Sequence, residues 1–293
     1  MSRNRHRASV STVALFSKPH PEATAVLRRV AASVQRRGLR LVTDVETAKA
    51  LGREDGLPRA EAARRADLLI SVGGDGTLLA AARAVSGAGT PILGVNLGSL
   101  GFLTETPCDE LDQVLEAAIE GTAPVEIRHA LQVRRDGEPT KPENTALNDV
   151  VFSKRDLARL FTLSVFVDDG WVADYRADGL ILATPTGSTA YNLAAGGPVV
   201  VPRVDALVAT PICPHSLSQR PLILPGSARV TVTLAEGQGA ADVQVTLDGQ
   251  VGFPLEPGER ILVQRSPNPV RLIRPPGRSF FSVLRDKLGW GRH

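Results

Sequence analysis

The chain is poor in cysteine, methionine and aromatic residues: two Cys, one Met and 4% Phe, Trp and Tyr in 293 residues. Two thiols, Cys108 and Cys213, cannot build a disulfide framework, and neither lies in the C-x-x-C spacing of a structural metal site. This fits a reducing compartment, and a cytoplasmic location is the simplest expectation. Cys213 reads as a small core residue rather than a reactive thiol. No apolar run approaches the length that spans a bilayer. Arg3, Arg5 and Arg7 open the chain, but no apolar stretch of signal-peptide length follows before Lys18. A membrane partner is therefore not expected. Despite a net charge of +3, there is no long basic run and few rings that could stack on bases, which argues against nucleic acid and for small anionic ligands.

With 43% hydrophobic and 22% charged residues the composition is that of a folded globular chain, and the length suits two domains. Residues 1–9 read as a flexible basic tail, 10–123 as an N-terminal α/β domain, 124–270 as a β-rich domain, and 271–293 as a segment returning to the first domain. In the first part, an apolar run at 10–16 suits a buried strand. Ala25, Val26, Val30, Ala31 and Val34 then repeat at helical spacing over 21–37, with Gly38 as the stop. Strands at 39–43, 66–72 and 90–95 alternate with helices near 59–65, 78–85 and 109–120, and 96–106 is a glycine-rich loop. This alternation predicts a parallel sheet covered by helices. From about 124 the pattern changes to short β-rich runs at 126–134, 146–152, 161–167, 180–183, 228–234, 243–247 and 260–264. A final helix over 279–290, with Phe280, Val283, Leu284 and Leu288 on one face, is expected to pack back on the body.

The most informative stretch is Gly73-Gly74-Asp75-Gly76-Thr77, between a predicted strand and a predicted helix. Glycines there let the backbone approach a phosphate, and amides at the helix start point at its oxygens. Asp75 conflicts with that reading, since a carboxylate repels phosphate unless a metal intervenes or the acid takes part in chemistry. A purely structural turn would lose nothing with Asn or Ser at that place, so the acid points to a group that accepts a proton from an attacking hydroxyl. The plain alternative is an ordinary turn with Asp75 as a cap. A Walker loop is excluded because the chain has no Gly-Lys pair, and the Rossmann fingerprint fails because Leu79 stands at its third glycine.

A second cluster lies in the β-rich part. Asp178-Gly179 precedes an apolar run and then Thr184-Pro185-Thr186-Gly187-Ser188-Thr189-Ala190-Tyr191, followed by Ala194-Ala195-Gly196-Gly197-Pro198. A strand, a hydroxyl-dense turn and a short helix from Ser188 would suit the edge of a polar ligand; the alternative is an elaborate cap with Tyr191 in the core. Asn148-Asp149, on a predicted strand, could hydrogen-bond a base edge or a ribose diol, or could simply be solvated.

In order and spacing these motifs, with Gly101-Phe102-Leu103, Pro214-His215-Ser216-Leu217 and Arg220-Pro221, resemble those of the bacterial and archaeal ATP-dependent NAD kinases, from Val13 through Trp290. The glycine-acid turn alone is shared with diacylglycerol, sphingoid-base and, in related form, phosphofructokinase enzymes. The resemblance implies an α/β domain followed by a β-sandwich-like domain, with NAD lying between them. It implies that Asp75 polarises or deprotonates the adenosine ribose 2′-hydroxyl, which attacks the γ-phosphorus of ATP or another donor with magnesium bridging the donor phosphates. By the same carry-over Gly73, Gly74, Gly76 and Thr77 bind phosphate, and Asp75 and Gly76 also touch NAD. Asn148 and Asp149 hold adenine and ribose, and Thr189, Ala190, Tyr191, Asn192, Leu193 and Ala194 line the base pocket. Arg159, Arg176, Asp178 and Gln250 contact the dinucleotide, Asp178 from a neighbouring subunit of a homodimer or homotetramer. His215 is implied to be structural. The sequence departs from the family at Ala80 and Ser99, where Arg is frequent, and at Asp149, where Glu is more frequent. A lipid or sugar kinase sharing the turn, and a dinucleotide sensor without turnover, are the competing readings.

Overall fold

The structure, a computed structural model, describes residues 10–98, 101–154, 161–235 and 243–290. The basic tail at 1–9, Ser99 and Arg159 lie outside the described residues. The chain divides into two compact units, Met1–Ile127 with Val270–His293, and Arg128–Pro269.

The first unit is built on a seven-stranded sheet in the order Arg40–Thr43, Thr12–Ser17, Leu68–Val72, Ile92–Asn96, Val270–Ile273, Val125–Arg128, with Thr106–Pro107 pairing on Ile92–Asn96. The ladders from Arg40–Thr43 across to Val270–Ile273 are parallel. Leu68–Val72 and Ile92–Asn96 are buried at every position, as strands covered on both faces must be, which is why they read as continuous apolar runs. Helix Ala23–Arg36 turns Ala23, Leu27, Val30 and Val34 inward. These share one core with Leu15, Ile70, Val72 and Val95 of the sheet. Burying a side chain such as Leu27 stabilises by about 2 kcal/mol. The last helix, Phe280–Leu288, starts in a Ser279/Ser282 capping box, buries Val283 and Leu284, and stops at Gly289 in the left-handed region.

The single strand expected at 126–134 is two strands. Val125–Arg128 joins the first unit's sheet and Leu131–Arg135 joins a sheet of the second, so the division falls after Ile127 rather than after 123. What ties the earlier piece to the first unit is Arg274. Its amide donates to the Pro124 carbonyl at 2.9 Å, and its guanidinium pairs with Glu126 and, at 2.5 Å, with buried Glu105.

The second unit has two six-stranded sheets. One runs Gly170–Ala177, Phe161–Val167, Val230–Leu234, Arg260–Arg265, Leu131–Arg135, Thr145–Ala146. The other runs Leu222–Pro225, Ala206–Ile212, Gly179–Ala183, Asp149–Lys154, Val243–Leu247, Val251–Leu255. Val133, Leu163, Val232 and Val263 of the first sheet and Phe152, Leu180, Leu182 and Val245 of the second fill a common core, which makes the unit a sandwich. Val230–Leu234 and Val243–Leu247 alternate buried and half-buried positions, as strands with one covered face do. Gly179–Ala183 is buried throughout, because residues of the 184–200 segment, Ala195 and Val200 among them, pack on Ile181 and Ala183 from outside. That covering segment carries the second motif. Among the described residues no helix is long and apolar enough to cross a membrane.

Candidate active site

Strand Leu68–Val72 leads through Gly73 and Gly74 into helix Asp75–Ala84. Gly73 has a φ of 150°, and a Cβ there would come within 2.5 Å of the Thr77 hydroxyl, so the close turn requires glycine. The Gly73 amide donates to the Val95 carbonyl and the Thr77 amide to the Gly74 carbonyl, each at 2.9 Å. Both ends of the turn are thus engaged by the fold. In front of Gly74 there is open space, since a Cβ there would touch nothing within 4 Å.

Asp75 is held by the glycine-rich loop. Its Oδ2 accepts the Phe102 amide at 2.9 Å, and its Oδ1 accepts the Leu103 amide at 3.1 Å, the Thr104 amide at 3.0 Å and the Thr104 hydroxyl at 3.0 Å. The loop closes so tightly that a Cβ at Gly101 would sit 2.0 Å from Asp75 Oδ1. Asn96 braces it, donating to the Thr104 carbonyl and hydroxyl at 3.2 and 3.1 Å. The electrostatic conflict expected for this acid is thereby reduced, because four donors stabilise its charge before any ligand arrives. The premise that Asn would serve equally well in a structural turn fails for the same reason: an amide NH2 would face N–H groups. Oδ1, with three donors, has no room for another. Oδ2, with one, keeps a lone pair for a ligand hydroxyl.

In the second unit a pocket of about 360 Å³ opens on the outer face of the second sheet, lined by Asn148, Asp149, Ala190, Tyr191, Thr246 and Asp248 with their neighbours. Asp149 begins strand Asp149–Lys154 and is 4% exposed. Burial, and then the charge of Asp248, push its carboxyl up to about 7. Asp248 occupies the turn between strands Val243–Leu247 and Val251–Leu255, where it and Gly249 both have positive φ, the geometry that an Asp-Gly hairpin favours. Its carboxylate accepts the amides of Leu147 (3.1 Å), Asn148 (2.7 Å) and Asp149 (3.3 Å).

The hydroxyls expected to greet a ligand hold the covering turn instead. Thr184 donates to the Leu147 carbonyl at 2.6 Å and accepts the Gly187 amide at 3.0 Å, Ser188 donates to the Pro185 carbonyl at 2.7 Å, and Thr189 donates to the Thr186 carbonyl at 3.3 Å. Gly187 is required because a Cβ would meet the Asn148 carbonyl oxygen at 2.1 Å. The short helix expected from Ser188 is a 3-10 turn, Gly187–Thr189, followed by one helical turn, Tyr191–Ala194. Asn192 is fully buried, donating to the Ser188 and Pro198 carbonyls and accepting the Thr210 hydroxyl at 2.6 Å. Tyr191, one alternative for which was a core position, is 46% exposed at the pocket.

Residues 13–123 match the family model of the ATP-NAD kinase N-terminal domain, and residues 147–275 that of the ATP-NAD kinase C-terminal domain. The chain belongs to the ATP-NAD kinase family. It is accordingly an enzyme, a kinase acting on NAD. It is 44% identical over 286 residues to the NAD kinase of Koribacter versatilis, covering 96% of this chain and 99% of that one, and 48% identical over 227 residues to that of Gemmatimonas aurantiaca, covering 77% and 78%. Among solved structures, yeast NADH kinase complexed with NADH aligns with a TM-score of 0.86 at 27% identity, covering 98% of this chain and 90% of that one. An NAD kinase from Archaeoglobus fulgidus in complex with ATP aligns with a TM-score of 0.75 at 26% identity, covering 95% and 97%.

Of the other residues that the family pattern singles out, Arg176 is exposed on strand Gly170–Ala177, and its carbonyl accepts the His215 amide at 2.9 Å. Asp178 pairs with Lys154 at 2.6 Å. Gln250 is exposed after the Asp248-Gly249 turn, Leu193 is half-buried and Ala194 exposed. Cys213 corrects the sequence reading. It is exposed, with a φ of 44°, because strand Ala206–Ile212 ends just before it and the chain turns there. Sequence reasoning missed the roles of Thr104, Asn96 and Asp248. For Asp248 the Asp-Gly pair between two β-rich runs was the available signal.

Proposed function

We propose that the chain phosphorylates the 2′-hydroxyl of the adenosine ribose of NAD, with ATP as donor, and that Asp75 Oδ2 receives that hydroxyl. The observation that carries this is the asymmetry of the Asp75 carboxylate: one oxygen saturated by the Leu103–Thr104 donors, the other with a lone pair left. In the reaction the hydroxyl oxygen forms a bond to the γ-phosphorus, the bond to the β–γ bridging oxygen breaks, and ADP leaves. Asp75 orients the hydroxyl and takes its proton, which passes on to solvent. Fixing the acid before substrate arrives lowers the reorganisation needed during transfer.

Gly73, Gly74, Gly76 and Thr77 form the bend that receives the donor phosphates. Among the described residues no three His, Cys, Asp or Glu side chains converge as metal ligands. Magnesium would enter on the phosphates of ATP and would neutralise charge there during transfer. Asn148, Asp149, Ala190 and Tyr191 hold adenine and ribose. Thr189, Asn192, Leu193 and Ala194 shape that pocket, Asn192 from within the fold. Arg176, Asp178 and Gln250 are assigned to outer contacts with the dinucleotide, as is Arg159.

Assembly as a homodimer or homotetramer is supported by Trp171, Leu222 and Ile223 on edge strands of the second unit and by Leu217, 88% exposed. A cytoplasmic location is supported by two free cysteines. The test of the reaction is a matrix of donors (ATP, other nucleoside triphosphates, polyphosphate) against acceptors (NAD, NADH, diacylglycerol, fructose 6-phosphate). NADP formation from NAD and ATP is expected; phosphate appearing only in lipid or sugar would remove the reading. Asp75→Asn should lower turnover by about 10²–10⁴ with NAD binding retained by calorimetry.

A further inference from the structure

Asp149 is the only carboxyl in the second unit's pocket whose side chain has no hydrogen-bond partner among the described residues; it is 4% exposed and lines a space of about 360 Å³. A charged carboxylate so placed has little contact with solvent and no donor among the described residues, whereas the neutral acid carries one donor and one acceptor into the pocket. Among the described residues the charged and titratable groups that face it are few. Asp248 lies on the hairpin turn after the adjacent strand Val243–Leu247, and Tyr191 lies on the covering segment. The other adjacent strand, Gly179–Ala183, carries no charge, and Lys154, at the far end of Asp149's own strand, is paired with Asp178. Among the described residues no cation lines the pocket.

We propose that Asp149 receives the dinucleotide as a neutral acid, and that Asp248 is a positioning residue that keeps it so while clamping the Leu147, Asn148 and Asp149 amides. This rests on the reading of the pocket as the NAD site and adds to it a protonation state and a second residue. The chemistry favours it in two ways. A neutral acid offers a donor beside an acceptor, the complement of an adenine edge, which has ring-nitrogen acceptors beside an amino donor. It also avoids adding a second negative charge next to Asp248 in a pocket that must admit an anionic dinucleotide. The direction in which burial and Asp248 move the Asp149 carboxyl agrees.

The test is NAD affinity, by calorimetry on the full chain, between about pH 6 and pH 9, with KM for NAD and for ATP measured alongside. Wild type should bind NAD about tenfold more weakly for each pH unit above about 7, while KM for ATP does not follow that trend. Asp149→Asn should flatten the profile and retain at high pH the affinity that wild type has at low pH. Asp248→Asn, which suits the left-handed turn as well as Asp does, should move the fall to lower pH. Wild-type affinity that is constant or rises over this range, or an Asp149→Asn chain that binds weakly at every pH, overturns the proposal. An Asp248→Asn profile falling at the wild-type pH removes Asp248 from it. Asp149→Leu and Tyr191→Ala separate the two levels. If both leave NAD binding intact at every pH, the pocket is not the dinucleotide site and both readings fall. If they weaken it without the pH pattern above, only the present inference falls.

Discussion

Two aspartates, one in each unit, show how far environment sets the character of one side chain. Asp75 sits at the start of a helix and accepts four hydrogen bonds from the Phe102–Thr104 stretch. Asp149 sits at the start of a strand, buried, beside another carboxylate and without a donor among the described residues. The first is a carboxylate met by donors, the second a group whose charge costs free energy. In both cases the decisive partners come from loops distant in sequence rather than from the element that carries the acid. An acid is therefore defined by its donors, and the count of donors separates the two.

Isosteric amides at the two positions should act in opposite directions. Asp149→Asn is expected to have the largest effect. The carboxyl is held well above its ordinary 3.8, so the folded state binds more protons than the unfolded chain between about pH 4 and 7. The resulting penalty is absent below that window, grows through it and is complete above it. Asn should remove a penalty of at most about 4 kcal/mol, so thermal melts should show the variant gaining on wild type as pH rises from 5 to 8.5. No pH-dependent gain would mean that the two acids do not differ as described. Gly101→Ala comes next: its Cβ would overlap Asp75 Oδ1, and a loss of about 3 kcal/mol with a fall in turnover is expected from denaturant titration and the NADP assay. Asp75→Asn should destabilise by about 2 kcal/mol, because an NH2 group would face backbone amides. Thr104→Val removes one of four donors and should cost about 1 kcal/mol, with a modest drop in kcat and little change in KM for NAD.

The glycine-acid bend was legible because everything that forms it is local: an apolar strand, glycines and a helix start within a few residues. Its grip by Phe102, Leu103 and Thr104 was not, since those donors stand 27 to 29 positions away and no periodicity marks an amide that will point at a carboxylate. The hydroxyls of Thr184, Ser188 and Thr189 were legible as a polar turn, but not that they bond inward to carbonyls. Whether a hydroxyl faces ligand or backbone depends on how the 184–200 segment lies on the sheet. Residues 126–134 read as one strand because their β propensity is continuous; the break at His129 and Ala130 comes from Arg274 and its acidic partners holding the first half. Cys213 was read as core from residue type alone, and the end of its strand placed it outside.

The residue pattern by itself determined two architectures in one chain, the helix-to-strand alternation of the first unit and the short strands of the second, along with the position of Asp75 at a strand-to-helix bend. These follow from local sterics and from hydrophobic spacing, which act over a few residues. Only the tertiary structure decided the strand order of the sandwich, the donors that fix Asp75, and the placing of Asp248 against residues 147–149. Hydrogen bonding and Coulomb interaction act through space between groups that folding brings within a few ångströms, and their distance along the chain carries no trace of that.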